Sequence, residues 1–201
     1  MAPKQIRPIR VEGNIAYVPL TRGYEAIIDA ADVSLVDGYN WSANLRFFRG
    51  GSIRTVYAYR QQRLGGRKIM ILLHRHLLGA PSGILVDHKD GCGLNNRRHN
   101  LRQANGSQNA QNSQTPVTNT SGARGATWLP KTRKWQVQIK ANGRCYHIGS
   151  FADRGEAARA YEAASARLHG EFAFALADTP DETVLRTGDL VIRQRDAACD
   201  L

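Results

Sequence analysis

ILVDHKDGCGLNNRRHNLRQANGSQNAQN, residues 84–112, is the stretch on which the reading of this chain turns. It holds one acid–imidazole pair (Asp87, His88), a glycine-punctuated turn (Asp90-Gly91-Cys92-Gly93) and asparagines at positions 95, 96, 100, 105, 109 and 112. Asparagine favours turns and caps because its short amide bonds the nearby backbone, so a polar loop is one reading. Against it stands the apolar run Ile84-Leu85-Val86, directly before the pair. A strand that delivers an acid and an imidazole into a glycine turn sets a metal ligand and a general base side by side. The stretch is therefore read as an active site, with Asn95, Asn96 and Asn105 left to turn chemistry.

The whole chain is 201 residues with a net charge of +11 and a pI of about 10.1. That is too basic for an average soluble enzyme; nucleic acid comes first among partners and an anionic membrane surface second. Residues 1–70, 71–112 and 113–177 are each net positive, whereas 178–201 is net negative. A basic surface along most of the chain fits a partner with a long footprint, as a DNA duplex has. No apolar run approaches the ~20 residues of a membrane span, and MAPKQIRPIR carries no apolar signal segment, so no membrane role is expected. Cys92, Cys145 and Cys199 form no CxxC pair. That argues against a disulfide framework or a cysteine-based zinc site and fits a reducing cytoplasm.

Outward from the stretch, residues 1–66 read as a β-rich region. Ile15–Val18 should meet Ala26–Ile28 across a turn at residues 21–24, Asp29 should cap a short helix over 30–36, and Asn44–Phe48 should pair with Ser52–Arg60 around Gly50-Gly51. In that hairpin Tyr and Phe alternate with Arg, which reads either as core plus solvated face or as a DNA-facing sheet. Residues 67–79 read as a strand running into a short helix stopped by Gly79; a helix points His74 and His76 apart, so one is packed and one lies at the surface. Residues 113–122 are polar and turn-forming, a linker and the expected domain boundary. Beyond it, three strands (125–129, 135–140, 144–150) with an Asn142-Gly143 turn precede a helix opened by a capping box at Asp153–Glu156 and closed at Gly170. Trp135, Val137 and Ile139 share one face of the middle strand, and Gln136, Gln138 and Lys140 the other. Residues 178–201 form an acidic tail whose short apolar run, Leu190–Ile192, either docks or stays mobile. The expected fold class is α+β.

Two family resemblances rest on these residues. VDHKDG, NN, NLR and QNAQN, with Asn100 twelve residues beyond His88 and Asn109 nine further, resemble the HNH homing endonucleases of the phage and intron type. Leu73-His74-Arg75 resembles the segment that precedes that motif, and Leu94-Asn95-Asn96 departs from the family's usual Leu-Asp-Asn. The module at 123–177 is similar to the Apetala/ethylene-response-factor DNA-binding domain through Arg124-Gly125, Lys134-Trp135, Ile148–Phe151 and the alanine-rich helix from Glu156. Together the likenesses imply a β-rich N-terminal region leading into a ββα-metal motif over 67–112, then a separate three-stranded antiparallel sheet packed on one helix.

The resemblances imply chemistry as well. Asp87 and Asn109 would hold one divalent cation, Mg²⁺ with Mn²⁺ as the alternate, through oxygen ligands. His88 would deprotonate the attacking water, and Asn100 would orient His88 or tie the motif's arms together. The reaction would be hydrolysis of a DNA phosphodiester to 5′-phosphate and 3′-hydroxyl ends, by a monomer that nicks double-stranded DNA. Arg75, Arg97, Arg98 and Arg102 are phosphate-contact candidates. In the C-terminal module Arg124, Trp128, Lys134, Gln138, Lys140 and His147 would meet DNA, with Arg133 and Arg144 on phosphates. The rival classes are a sequence-specific DNA-binding regulator whose nuclease motif has decayed, and an RNA-binding or RNA-cleaving protein.

Overall fold

The computed structural model describes residues 5–112, 119, 121–174, 185–187 and 190–192. These form a mixed α/β chain of several small sheets and few helices, in two compact units: Met1–Gln103 with Ala177–Leu201, and Ala104–Leu176. No helix among the described residues is long and apolar enough to cross a membrane.

In the first unit β1 (Arg10–Glu12), β2 (Ile15–Pro19) and β3 (Glu25–Asp29) form an antiparallel sheet, with a 3-10 turn at Thr21–Gly23 between the last two. Ala16 and Val18 of β2 and Ala26, Ile27 and Ile28 of β3 are buried. The continuous apolar run of β3 is the pattern of a strand covered on both faces. A 3-10 turn at Ala30–Asp32 leads into α1 (Val33–Val36). Asp29 does not cap it as expected: its carboxylate instead accepts hydrogen bonds from Arg97 Nε (2.9 Å) and the Arg98 backbone NH (2.8 Å). A charged donor outcompetes a neutral helix-end amide for a carboxylate.

A second antiparallel sheet follows from β4 (Ser42–Phe47), β5 (Ile53–Leu64) and β6 (Arg67–Leu72). The Gly50-Gly51 hairpin is as expected, but β5 runs on to Leu64 and turns through Gly65-Gly66 to pair with β6 from Tyr59↔Leu72 to Leu64↔Arg67. Residues 61–70 are exposed throughout, so this end is a two-stranded ribbon standing off the core. Arg60, by contrast, is buried, with its guanidinium 4.0 Å from the Tyr39 ring centre and 5.7 Å from that of Trp41. Trp41 is fully buried and donates its indole NH to the Val36 carbonyl (3.0 Å). α2 (Leu73–Leu78) ends at Gly79 in the left-handed conformation (φ 57°), as the sequence implies. β7 (Leu85–His88) pairs with β8 (Leu101–Ala104). The loop between them is pinned to β3, where the Ile27 NH meets the Leu94 carbonyl (2.8 Å) and the Asn96 NH the Ile27 carbonyl (2.7 Å).

The second unit opens with α3 (Gly106–Gln111), capped by Asn105, which exchanges side-chain and backbone hydrogen bonds with Gln108. β9 (Ala126–Leu129), β10 (Lys134–Ala141) and β11 (Arg144–Phe151) make a three-stranded antiparallel sheet, and α4 (Arg154–His169) packs on it. Asp153 caps α4 by accepting from the Glu156 NH (2.9 Å). Val137 and Ile139 meet Ala157, Tyr161 and Ala164 in a small core that Trp135, Ile148 and Phe151 flank. A methyl group on Gly125 would lie 2.3 Å from the Tyr161 ring, so a glycine is required there. His169 locks helix to sheet through Ser165 (3.1 Å) and the Lys140 carbonyl (3.1 Å). Arg124 bonds the carbonyls of Ala110 and Gln111 and so ties α3 to the rest of this unit. Most of the expected linker lies outside the described residues. So does most of the acidic tail, from which only β12 (Leu185–Thr187) and β13 (Leu190–Ile192) are described, as an antiparallel pair.

Candidate active site

Asp87 and His88 close β7 and are both buried (6% and 5% exposed). A polar knot holds the loop that follows. Asn100, itself buried, accepts from the Asp90 NH (3.1 Å) and donates to Asp90 Oδ1 (2.9 Å) and the Asn95 carbonyl (2.8 Å). Asp90 also accepts from the Cys92 NH (2.8 Å) and from Asn95 (2.7 Å), and the Lys89 NH reaches the Asn100 carbonyl (2.9 Å). Through these bonds Asn100 joins the two sides of the loop. A methyl on Gly93 would meet the Val56 carbonyl at 2.4 Å and the Tyr57 ring at 2.7 Å, so the loop lies flush on β5.

The His88 ring is enclosed by other rings. His74 stands edge-on to it with centroids 5.1 Å apart, and Tyr57 lies at 5.9 Å. Its Nε2 is 3.4 Å from Oδ1 of Asn96, which is fully buried and donates to the Leu94 carbonyl (3.0 Å). An amide oxygen only accepts, so this contact favours the tautomer protonated on Nε2. Burial pushes the His88 pKa below its ordinary value, opposed by the Asn96 hydrogen bond and by Asp90 and Asp87. The ring is thus neutral at neutral pH, the form a base requires. Asn96 is the residue that sequence reasoning missed. It read as turn chemistry because its burial comes from the contact with β3, which no local pattern announces. His74 is the packed histidine of its pair; burial, then the charges of His88 and Arg75, lower its pKa to about 3. His76 bonds the Leu35 carbonyl (2.9 Å).

Asp87 is held by Arg102, whose Nε and Nη2 both converge on Oδ2, at 2.8 and 2.7 Å. The two side chains are only 9% and 7% exposed. The structure therefore engages Arg102 inside the site rather than leaving it on a surface for phosphate. The other arginines of the stretch are also engaged. Arg97 pairs with Asp29 (2.9 Å), and Arg98 grips Asp32 through Nε and Nη2 (2.7–3.0 Å). Arg75 braces the turn after α2 through the carbonyls of Ala80 (3.1 Å), Pro81 (2.7 Å) and Ile84. Asn109 lies exposed on α3, in the second unit.

No three His, Cys, Asp or Glu side chains among the described residues gather to hold a metal. Burial pushes the Cys92 thiol up to about 11. The acid of the site is a buried carboxylate, Asp87. That donor suits a hard divalent cation that keeps most of its water and takes phosphate oxygens from a substrate.

In the second unit the open face of the sheet carries Lys134, Gln136, Gln138 and Lys140 of β10, with Thr127 of β9 and His147 of β11 opposite. Arg133 and Arg144 are exposed at the strand turns. Two expected DNA contacts lie elsewhere. Trp128 is paired across the sheet with Trp135 (ring centroids 5.1 Å), which puts it on the helix-packed side, and Arg124 is turned to the end of α3 and the Tyr161 ring.

No family model matches the chain. Protein 3.8 of Escherichia phage T7 is 36% identical over 93 residues, 46% of this chain and 76% of that protein. An uncharacterized HNH endonuclease of Acanthamoeba polyphaga mimivirus is 34% identical over 93 residues, again 46% of this chain, which spans about half (47%) of that relative's length. The solved structure on DNA binding and cleavage by the HNH homing endonuclease I-HmuI aligns with 68% of this chain and 72% of that one at 19% identity; its TM-score of 0.28 is too low to carry an argument.

Proposed function

We propose, from the premise that this chain belongs to the family of phage T7 protein 3.8 and is a distant homologue of an HNH endonuclease, that it is a metal-dependent DNA endonuclease. The observation that carries this reading is the pairing, at the end of β7, of the buried Asp87 carboxylate with the buried His88 imidazole, whose Nε2 faces Oδ1 of Asn96. In this reading the motif works as a ββα-metal centre. Asp87 would supply an oxygen ligand to Mg²⁺. When bound, the cation would stabilise charge on the reacting phosphate and the departing 3′ oxygen. His88 takes the proton of the attacking water at Nδ1 while Asn96 fixes its tautomer. Asn100 and Asp90 hold the loop so that ring and carboxylate keep their mutual position. The products are a 5′-phosphate and a 3′-hydroxyl.

Substrate contact is assigned to two basic surfaces, one on each unit. On the first unit the exposed ribbon of β5 and β6 carries Arg63, Arg67 and Lys68. A two-stranded ribbon is one of the shapes a major groove admits. On the second unit it is the open sheet face with Lys134, Gln138, Lys140 and His147, flanked by Arg133 and Arg144, in the manner of an Apetala/ethylene-response-factor domain. A monomer with one such centre nicks one strand.

The second reading, a DNA-binding regulator without cleavage, has one observation in its favour: Arg102 already balances the charge of Asp87. Incubation with supercoiled plasmid separates the two. The endonuclease converts it to open circles with Mg²⁺, leaves 5′-phosphate ends and stops on addition of EDTA. Unchanged supercoil at saturating protein and cation contradicts the nuclease reading.

A further inference from the structure

A buried carboxylate needs a counter-charge, and the structure supplies Asp87 with one from the neighbouring strand. Both inner donors of the Arg102 guanidinium point at Oδ2, in a pair withdrawn from solvent on both sides. The geometry is therefore that of a site already neutralised from within. A divalent cation that approached Asp87 would meet the guanidinium a few ångströms away, across a medium that screens poorly. We propose that Arg102 is a built-in competitor of the divalent cation for Asp87, so that the protein free of DNA loads metal weakly. This rests on the reading of Asp87 as a cation ligand. It adds a latch to that reading: an arginine that keeps the centre idle off its substrate.

The alternative role for Arg102 is to orient Asp87 for the cation, and the two roles have opposite signs. Calorimetric titration of Mn²⁺ into the DNA-free protein distinguishes them. Arg102→Gln removes the charge and is expected to bind Mn²⁺ about tenfold tighter than the unmodified protein, or more. Arg102→Met fills the same volume and gives the same answer should the glutamine variant lose its cooperative melt. Affinity equal to or weaker than that of the unmodified protein overturns the proposal and leaves Arg102 a positioning residue. Asp87→Asn, titrated alongside, is expected to lose the binding. If it binds as the unmodified protein does, it is the assignment of Asp87 to the metal that fails, not the competition alone.

Discussion

At the scale of single residues, burial sets the charge state of the two histidines at the end of β7 and in α2. His88 and His74 stand ring to ring, both pushed toward neutrality by burial, yet only His88 has an amide that fixes its tautomer. His74 carries a measurable consequence. Its folded-state pKa of about 3 lies below the ordinary 6.5, so between those values the unfolded chain binds the proton and the folded one does not. The stability it contributes is complete above pH 6.5 and is lost as pH falls toward 3, at up to about 1.4 kcal/mol per pH unit. Urea denaturation at pH 7 and again at pH 4.5 should show the unmodified protein losing about 2 kcal/mol more than His74→Phe. Equal losses would mean that His74 charges freely in the fold. The pair Asp87-His88 was legible from the sequence because an apolar run and a glycine turn bracket it. The partners of Arg97 and Arg98 were not, because Asp29 and Asp32 lie more than sixty residues away.

At the scale of elements, the site is a loop clamped between two strands from elsewhere in the chain. Leu94 and Asn96 bond the edge of β3, and Gly93 rests on β5 against Val56 and Tyr57. Gly93→Ala puts a methyl into the Val56 carbonyl, which is backbone and cannot swing aside. It should cost about 1–3 kcal/mol in urea denaturation and displace the loop that follows His88 and carries Asn96. An unchanged midpoint would show that the loop is not seated on β5 as described. The strands with period-2 patterns and glycine or Asn-Gly turns, and α4 with its Asp and Gly ends, were read from local signals and stand where the sequence put them. The strand from Arg67 was read, but the run of β5 past Arg60 and its pairing with β6 escaped although Gly65-Gly66 announced them, because these strand ends carry charge on both faces and so lack alternation. Trp128 was misplaced for a different reason: facing is inherited from the cross-strand partner, and Trp135 fixes it.

At the scale of the whole molecule, the net charge of +11 is spread over surfaces on both units, while Arg97, Arg98 and Arg102 are already paired with Asp29, Asp32 and Asp87. Non-specific DNA affinity should therefore come from the ribbon and the open sheet face. Deleting residues 113–201 would strip α3 of the hydrogen bonds from Arg124 that hold it, so neutralising the face is the cleaner experiment. Replacing Lys134, Lys140 and Arg144 together by alanine should weaken duplex binding and flatten its salt dependence by about 0.9 in log–log slope for each phosphate no longer neutralised. The fold, read from its melting, should be unchanged. An unaltered slope would remove this face from the DNA interface. The measurement that bears most directly on the central claim compares the unmodified protein with His88→Ala on one plasmid substrate, scoring nicking and binding in parallel. Nicking should vanish with Mg²⁺ present while duplex affinity stays within about twofold, because His88 is buried and belongs to neither basic surface. Nicking that persists in the His88→Ala protein would contradict the assignment of His88 as the base.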